Sequence, residues 1–132
     1  KLNNEYTTCD IKNCIDLGPI LFAFAALKHG GCFTGVSRLR IKESDRIGDI
    51  EQELQKFNVD VIEEDDKVII NNKNIQKPKE ILNGRNDHRI VMALSLLCSV
   101  TGGTIEGAES VAKSYPDYFE EIEKIGIKVN RQ

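Results

Sequence analysis

Residues 87–107 read DHRIVMALSLLCSVTGGTIEG, and residues 16–36 read DLGPILFAFAALKHGGCFTGV. Each stretch has an aspartate, a long apolar run, a Gly-Gly pair and a short alternating segment, in that order. Aspartate is favoured at a helix N-cap and glycine just after a helix end, so each stretch predicts a helix followed by a strand. Because apolar residues surround the axis of each helix, we expect both helices to be central and buried.

An amphipathic helix is predicted after each of these strands. Over residues 44–57 the apolar face is formed by Ile47, Ile50, Leu54 and Phe57. Over residues 115–125 it is formed by Tyr118, Phe119, Ile122 and Ile125. Apolar spacings of three and four residues are typical of one helix face. The two stretches therefore continue in the same way.

Strands are predicted to complete the repeat. Matching strands are expected at residues 56–61 and 124–129, and the first is followed by a hairpin return at residues 68–71. Tyr6–Ile11 is a candidate leading strand for the first copy, and Ile75–Leu82 contains a weaker one for the second. The predicted order is β-α-β-α-β-β, followed by most of a second copy.

The repeats divide the chain without a linker between them. The first unit covers about residues 5–72 and the second about residues 73–132. The second unit lacks the return strand of the first, and two buried helices need more cover than two small sheets provide. We therefore expect a single partial domain, which is a fragment of a larger protein.

Composition excludes several classes of protein. The chain has 132 residues, of which 30% are charged, and a formal net charge of −3. This balance argues against a disordered chain and against a nucleic-acid-binding surface, so any basic site must be local. The sequence opens on a polar stretch, and no uncharged apolar run approaches about 18 residues, so neither a signal peptide nor a membrane segment is expected.

Four cysteines, Cys9, Cys14, Cys32 and Cys98, indicate the compartment. They form no CxxC pair and lie in or beside apolar runs, so we expect them to be reduced and mostly buried. Reduced cysteines favour a cytoplasmic location.

Charged residues concentrate at the predicted helix starts. The segment Lys42-Glu43-Ser44-Asp45-Arg46 places Arg46 in the first turn of a helix that begins at Ser44 or Asp45. A cation there is disfavoured by roughly 0.3–1 kcal/mol, because the helix dipole is already positive at that end. We expect an anionic ligand to supply the missing partner, since helix N-termini bind anions through their free amides.

Parallel packing of the helices would gather their starts at one end of the domain, which we call the rim. The rim would carry Asp16, Lys42, Glu43, Arg46, Asp87, His88, Arg89 and Lys113. Taken singly, the aspartates are ordinary N-caps, the lysines are solvated surface groups, and His88 is a packing residue. Arg46 and Arg89, however, recur beside acidic caps in equivalent places, which favours an anion held by two guanidinium forks.

The same residues suggest a chemistry. Together with the two arginines, Lys42 and Lys113 could hold a doubly anionic small molecule. The neighbouring carboxylates of Asp16 and Glu43 would be free to move protons or to stabilise positive charge. Besides His88 the sequence has one other histidine, so no metal cluster is expected.

Three segments resemble one known family. They are LRIKESDRI at residues 39–47, NDHR at residues 86–89 and AKSYPDYF at residues 112–119. They closely resemble the C-terminal part of the 5-enolpyruvylshikimate-3-phosphate synthase family, and the resemblance runs from about residue 10 to about residue 129. The family fold has two domains, each of three β-α-β-α-β-β units, with helices inside and sheets outside. The resemblance thus implies an α/β inside-out barrel, of which this chain holds about two of six units.

The family resemblance also implies an activity. The enolpyruvyl group of phosphoenolpyruvate is transferred to the 5-hydroxyl of shikimate 3-phosphate and phosphate is released, a step of chorismate and aromatic amino acid biosynthesis. The two substrates bind between the domains, so the partners would be these substrates and the missing remainder of the same enzyme. No metal or organic cofactor is implied. The fragment is expected to be inactive alone.

Roles for the rim residues follow from the same resemblance. Asp16 would bind the hydroxyls of shikimate 3-phosphate and accept the 5-hydroxyl proton, and Lys42 would contact the same substrate. Glu43 would transfer a proton at the methylene of phosphoenolpyruvate. The cations that hold phosphoenolpyruvate would be Arg46, Arg89 and Lys113. Asp87 and His88 would hold these groups in place without contacting the substrates themselves. Arg38 departs from the family pattern, in which some members carry an asparagine.

Alternatives remain open at this point. An enolpyruvyl transferase that acts on UDP-N-acetylglucosamine shares the fold and phosphoenolpyruvate, but its corresponding region lacks a KESDR segment. A non-catalytic anion-binding domain would use the same cations without chemistry. RNA 3′-terminal phosphate cyclases share the broader fold, but this sequence shows neither a nucleotidylated-histidine motif nor a basic surface.

Overall fold

The computed structural model describes residues 7–71 and 74–131, which contain four α-helices and six strands. The helices are α1 (Gly18–Leu27), α2 (Arg46–Gln55), α3 (His88–Thr101) and α4 (Tyr118–Lys124). The strands are β1 (Thr8–Asp10), β2 (Gly31–Thr34), β3 (Asp60–Glu64), β4 (Lys67–Asn71), β5 (Leu82–Asn83) and β6 (Ile105–Glu106). Short 3₁₀ helices cover Lys12–Leu17, Ser37–Ile41 and Ala108–Lys113. The predicted boundary at residues 72 and 73, like Tyr6 of the leading strand, falls outside the described residues.

The β-α-β-α-β-β order predicted for the first unit appears among the described residues, and its strands form one four-stranded sheet. Its strand order is β1-β2-β4-β3, with β1 parallel to β2 and β4 antiparallel to both of its neighbours. One boundary differs from the prediction, because the strand expected from Lys56 begins only at Asp60. Asn58 has a left-handed φ of 68°, and the Val59 N–H returns to the Leu54 carbonyl at 3.2 Å. This is a helix C-cap, so residues 56–58 belong to the end of α2.

The two apolar helices pack against each other and form the centre of the core. Fully buried side chains on them include Phe22, Ala26, Ile90 and Leu94. The prediction of all-round burial is nevertheless wrong at two positions, since Phe24 of α1 is 55% exposed and Val100 of α3 is 64% exposed. The apolar face of α2 behaves as expected, and its four predicted members are all inaccessible to solvent.

The second unit is less complete than the sequence predicts. Parallel strands β5 and β6 form a two-stranded sheet. The prediction of a strand at residues 124–129 is wrong, because these residues form the end of α4 and an irregular segment. In the first unit β4 lies between β2 and β3 and pairs with both, whereas no strand in the described ranges takes that place beside β6. Residues 127–131 therefore lack a partner ladder, and an open groove of about 1100 Å³ separates them from α3 and β6.

Two further expectations for this half need correction. The weak strand expected within Ile75–Leu82 is reduced to its last residue, which begins β5. On α4 the predicted apolar face is only partly buried, and Ile125 is 76% exposed because it lies beyond the helix end. No helix within the described ranges combines the length and the apolar character that crossing a bilayer requires.

The cysteines are free, but they are less buried than predicted. Cys9 and Cys14 are exposed, because the first lies on the edge strand β1 and the second in the 3₁₀ helix that follows it. Cys32 and Cys98 are partly buried. Burial raises the pKa of the Cys98 thiol to about 11, which keeps this thiol protonated and unreactive near neutral pH.

Candidate functional site

The starts of α2 and α3 each carry an aspartate cap. Asp45 accepts a hydrogen bond from the Gly48 N–H at 3.1 Å, and Asp87 accepts one from the Arg89 N–H at 2.9 Å. Helix α2 begins at Arg46 with Asp45 as its cap, slightly later than the predicted start at Ser44 or Asp45, and Arg46 lies in the first turn as expected. These caps satisfy amides that the helix itself leaves free.

Asp16 is not the N-cap that the sequence predicts. It lies inside the 3₁₀ helix Lys12–Leu17, and α1 begins at Gly18 without a side-chain cap. The 3₁₀ helix leads directly into α1, and Pro19 in the first turn has no N–H to be capped. The Asp16 carboxylate is consequently available for contacts with other elements.

Arg46 finds its partner within the protein. Its side chain is 1% exposed and reaches the fully buried Asp87 through Nε to Oδ2 at 2.8 Å and Nη2 to Oδ1 at 3.1 Å. The Ser44 hydroxyl donates a further hydrogen bond to Asp87 Oδ2 at 2.8 Å. Burial opposes ionisation of Asp87, but Arg46 and Ser44 outweigh it and hold the pKa of that carboxyl below its usual value. A cation in the first turn of α2 is thus balanced by the cap of α3.

Two more carboxylates reach the outer side of Arg46. Asp16 Oδ1 lies 3.3 Å from Arg46 Nη1 and 3.4 Å from Lys42 Nζ, and Glu43 Oε2 lies 3.2 Å from Arg46 Nη2. Both acidic side chains are about half exposed, at 54% for Asp16 and 44% for Glu43. Desolvation opposes ionisation of Asp16, but Lys42, Arg46 and Arg89 together hold the pKa of its carboxyl below the usual value. The Asp16 carboxylate is therefore ionised near neutral pH and is partly exposed to solvent.

Two buried nitrogen atoms at this place have no hydrogen-bond partner among the described residues. They are Nε of Arg89 and Nδ1 of His88. His88 Nδ1 lies 3.5 Å from Glu43 Oε2, a proximity without hydrogen-bond geometry. Buried polar groups in native proteins are nearly always paired, so unpaired ones point to a missing acceptor or donor. A bound anion would supply the acceptor that Arg89 lacks.

Lys113 approaches the same region from the second unit. Its Nζ donates a hydrogen bond to the Asn86 carbonyl at 2.6 Å. It comes from the 3₁₀ helix Ala108–Lys113 and not from the start of α4, which begins only at Tyr118. The expectation that the helix starts share one rim therefore holds for the elements around Asp16, α2 and α3, whereas Lys113 reaches the rim from a 3₁₀ helix that precedes α4.

The predicted rim residues are thus brought together. Direct contacts connect Asp16, Lys42, Glu43, Arg46, Asp87 and His88, and Arg89 and Lys113 adjoin them through the segment at residues 86–89. The functional roles assigned to these residues remain predictions. In the described ranges, no group of three or more histidine, cysteine, aspartate or glutamate residues could hold a metal ion.

Sequence reasoning missed a second charged cluster beside the rim. Glu53 is completely buried, and both of its carboxylate oxygens accept hydrogen bonds, from Asn83, Lys56 and Arg85. A signal was available, because Glu53 occupies the buried face of α2 between Ile50 and Leu54. A carboxylate on an otherwise apolar face predicts a buried charge pair.

Comparisons with known proteins agree with this arrangement. The sequence model of the family described as EPSP synthase (3-phosphoshikimate 1-carboxyvinyltransferase) matches residues 2–122. The chain belongs to the EPSP synthase family. A 3-phosphoshikimate 1-carboxyvinyltransferase of Clostridium kluyveri is 41% identical over 124 residues, and one of Dehalococcoides mccartyi is 43% identical over 125 residues. Each match covers 92% of this chain and 29% of the relative.

A solved structure of the EPSP synthase of Acinetobacter baumannii superposes with a TM-score of 0.82 at 31% sequence identity. The match covers 92% of this chain and 30% of that enzyme. The predicted fold class, a portion of the EPSP synthase architecture, is therefore confirmed. The chain spans about three tenths of the length of the relatives that it matches.

Proposed function

We propose that this chain supplies one part of the active site of an enzyme that transfers the enolpyruvyl group of phosphoenolpyruvate to the 5-hydroxyl of shikimate 3-phosphate. Family membership supports the reaction class. The observation that carries the proposal is the grouping of two half-exposed carboxylates, Asp16 and Glu43, over the buried Arg46 and beside the unpaired Arg89 Nε. This grouping offers both proton-transfer groups and anion-binding groups within one small region.

The cations divide into two kinds in this proposal. Arg89 and Lys113 are the groups that contact the phosphate and carboxylate of phosphoenolpyruvate, because the first has an unused buried donor and the second is exposed. Lys42 contacts shikimate 3-phosphate beside Asp16. Arg46 has most of its donors occupied by protein carboxylates, so it chiefly orients Asp16 and Glu43 and adds positive charge beneath the substrate. Asp87 and His88 support Arg46 and Glu43 respectively.

The proton steps follow from the placement of the two carboxyl groups. In the addition step Glu43 gives a proton to the methylene carbon of phosphoenolpyruvate, and the 5-hydroxyl oxygen bonds to the adjacent carbon while Asp16 accepts the hydroxyl proton. In the elimination step the bond between that carbon and the phosphate oxygen breaks, phosphate leaves with the proton that Asp16 had accepted, and Glu43 takes a proton back from the new methyl group. Glu43, which is ionised once it has given its proton, stabilises the oxocarbenium character that develops within each step.

The chain alone is proposed to be inactive. Enolpyruvyl transfer needs two anionic substrates held in contact and shielded from water, and such positioning contributes roughly 7–11 kcal/mol. The rim supplies one wall of such a site, and the remainder of the enzyme would supply the other. The four free cysteines favour a cytoplasmic location for the assembled protein.

The test is a hybrid enzyme, in which the 124 matching residues of the Clostridium kluyveri relative are replaced by those of this chain. Phosphate release from phosphoenolpyruvate is measured with shikimate 3-phosphate as acceptor. We expect turnover by the hybrid enzyme and none by the chain alone. Turnover with UDP-N-acetylglucosamine instead would favour the alternative transferase. Binding of anions or of RNA without any turnover would favour a non-catalytic domain or a nucleic-acid role.

A further inference from the structure

The segment before α3, which includes Asn83 and Arg85, is hydrogen-bonded to the buried carboxylate of Glu53 on α2. Glu53 Oε1 accepts hydrogen bonds from the Asn83 N–H at 2.8 Å and from Lys56 Nζ at 2.9 Å. Glu53 Oε2 accepts from Arg85 Nε at 3.1 Å and from Arg85 Nη2 at 2.7 Å. The carboxylate is completely buried, and the side chains of Lys56 and Arg85 that bind it are each only 21% exposed, so these hydrogen bonds lie largely away from water.

Arg85 extends this attachment along α2. Its Nη1 donates to Asp49 Oδ1 at 2.9 Å and its Nη2 donates to Gln52 Oε1 at 2.7 Å. All three side-chain partners of Arg85, including Glu53, belong to one helix. The planar guanidinium can satisfy several acceptors at once only in a fixed orientation, which lysine cannot reproduce.

The backbone at this point adopts an uncommon conformation. Arg85 and the next residue, Asn86, have left-handed φ values of 58° and 53°. Such values are uncommon for non-glycine residues, and they persist where the surroundings enforce them. The Arg85 N–H also donates to Asn83 Oδ1 at 2.8 Å. This turn directs the Asn86 carbonyl to Lys113 and leads directly into Asp87, so it sets the position of two elements of the rim.

We propose that Arg85 and Glu53 are positioning residues for the anion-binding groups Arg89 and Lys113, an inference that rests on the proposed function. The Arg46–Asp87 pair, together with the Ser44–Asp87 hydrogen bond, connects the beginning of α2 to the start of α3. Glu53 lies seven residues further along α2, roughly 10 Å away at 1.5 Å per residue. The second attachment fixes the orientation of the α3 start relative to Lys42 and Glu43.

The effect of Glu53 on the position of the rim residues can be distinguished experimentally from the effect of its negative charge. Replacing Glu53 by glutamine removes a negative charge near the rim, which by itself would strengthen anion binding. Loss of positioning acts in the opposite direction, because Arg89 and Lys113 would no longer be held for a common ligand. The loss of charge therefore predicts tighter anion binding by Glu53→Gln, whereas the loss of positioning predicts weaker binding.

The experiment titrates the 132-residue chain with inorganic phosphate and follows the backbone amide NMR signals of residues 86–89. The variants are Glu53→Gln and Arg85→Lys, and the matched control is Glu64→Gln, which removes one charge at an exposed side chain of β3. We expect Glu53→Gln and Arg85→Lys to weaken phosphate binding roughly tenfold or more, since small misplacements of binding groups have large effects. The control should bind as the unsubstituted chain does. Equal or tighter binding by Glu53→Gln would overturn the positioning role.

A second readout separates positioning from a general loss of stability. Amide hydrogen exchange is compared at Arg89, whose N–H bonds to Asp87, and at Ile11, whose N–H bonds to the Thr34 carbonyl in the first sheet. Positioning predicts faster exchange at Arg89 in Glu53→Gln and unchanged exchange at Ile11. Equal acceleration at both amides, or none at Arg89, would overturn it. If the unsubstituted chain shows no phosphate response, the proposed anion site fails, and the exchange comparison alone decides the role of Glu53.

Discussion

Arg46 and Asp87 join the first turns of α2 and α3 through a two-bond ion pair, although they are 41 residues apart in the chain. Asp87 at the same time caps α3 through the Arg89 N–H. One buried carboxylate thus neutralises a cation at an unfavourable helix position and sets the start of the helix that carries His88 and Arg89. The rim depends on this contact for its geometry.

Replacing Asp87 by asparagine should destabilise the chain. Asparagine caps a helix as well as aspartate does, so the change isolates the loss of the buried charge that balances Arg46. Removing one member of a buried ion pair costs about 3–5 kcal/mol. Urea unfolding of the chain measures the effect. Glu121→Gln is the control, because it breaks an exposed pair with Lys124 and should change the unfolding free energy far less. Equal effects of the two substitutions would contradict the importance of the Arg46–Asp87 pair.

Glu51 and Glu63 should make folding stability depend on pH near neutrality. A hydrogen bond with Glu63, together with burial, raises the pKa of Glu51 from 4.5 to about 7. Between these values the unfolded chain releases the proton of Glu51 while the folded chain keeps it, so the free energy of unfolding falls as pH rises. The contribution of Glu51 is present below pH 4.5 and is lost as the pH rises through about 7, whereas the same hydrogen bond lowers the pKa of Glu63, whose contribution is lost at more acidic pH.

The variant Glu51→Gln checks this dependence. Its amide can still donate a hydrogen bond to Glu63 but cannot ionise. Unfolding free energies measured at several pH values should show the unsubstituted chain losing stability relative to Glu51→Gln from about pH 5 to about pH 8. Glu64→Gln, at an exposed neighbour of Glu63, should follow the unsubstituted chain. If the plots of unfolding free energy against pH were parallel for the unsubstituted chain and Glu51→Gln, the folded chain would not hold a proton on Glu51 near neutral pH.

Arg89→Ala should weaken the binding of phosphoenolpyruvate more than it slows turnover. Charge-assisted hydrogen bonds contribute about 1.5–3 kcal/mol, which corresponds to roughly 10- to 100-fold in KM. Steady-state kinetics of the hybrid enzyme gives KM and kcat separately. Arg131→Ala is the control, because this exposed arginine contacts Glu120 at 3.1 Å and no residue of the rim. An unchanged KM for phosphoenolpyruvate in Arg89→Ala would remove Arg89 from the proposed site.

The sequence predicts local features of this protein well where one segment determines them. The apolar face of α2, the place of Arg46 in its first turn and the cap at Asp87 each follow from spacings of a few residues. The strand expected at Lys124–Val129 fails because a strand needs a partner ladder, and the local pattern does not show whether that partner is present.

In the candidate site, too, the features set by one local segment are predicted from the sequence, and contacts between distant segments are not. Its residues were recognisable as charged helix starts and as family motifs. The partner of Arg46 was not, because Asp87 reaches it through packing of α2 against α3 and not through sequence proximity. Asp16 is not the cap that its local sequence predicts, because the 3₁₀ helix that contains it leads directly into α1 and removes the need for a cap. The attachment of Arg85 to Glu53 likewise joins residues 32 positions apart.

The central claim, that the rim carries a proton-transfer group for enolpyruvyl transfer, is tested most directly by Glu43→Gln in the hybrid enzyme. The measurement is the rate of phosphate release at saturating phosphoenolpyruvate and shikimate 3-phosphate. Loss of a general acid and base should lower kcat by about 10²–10⁴-fold while KM for both substrates changes little, because glutamine keeps the shape of the side chain. A Glu43→Gln hybrid that turns over at nearly the rate of its parent would contradict the account.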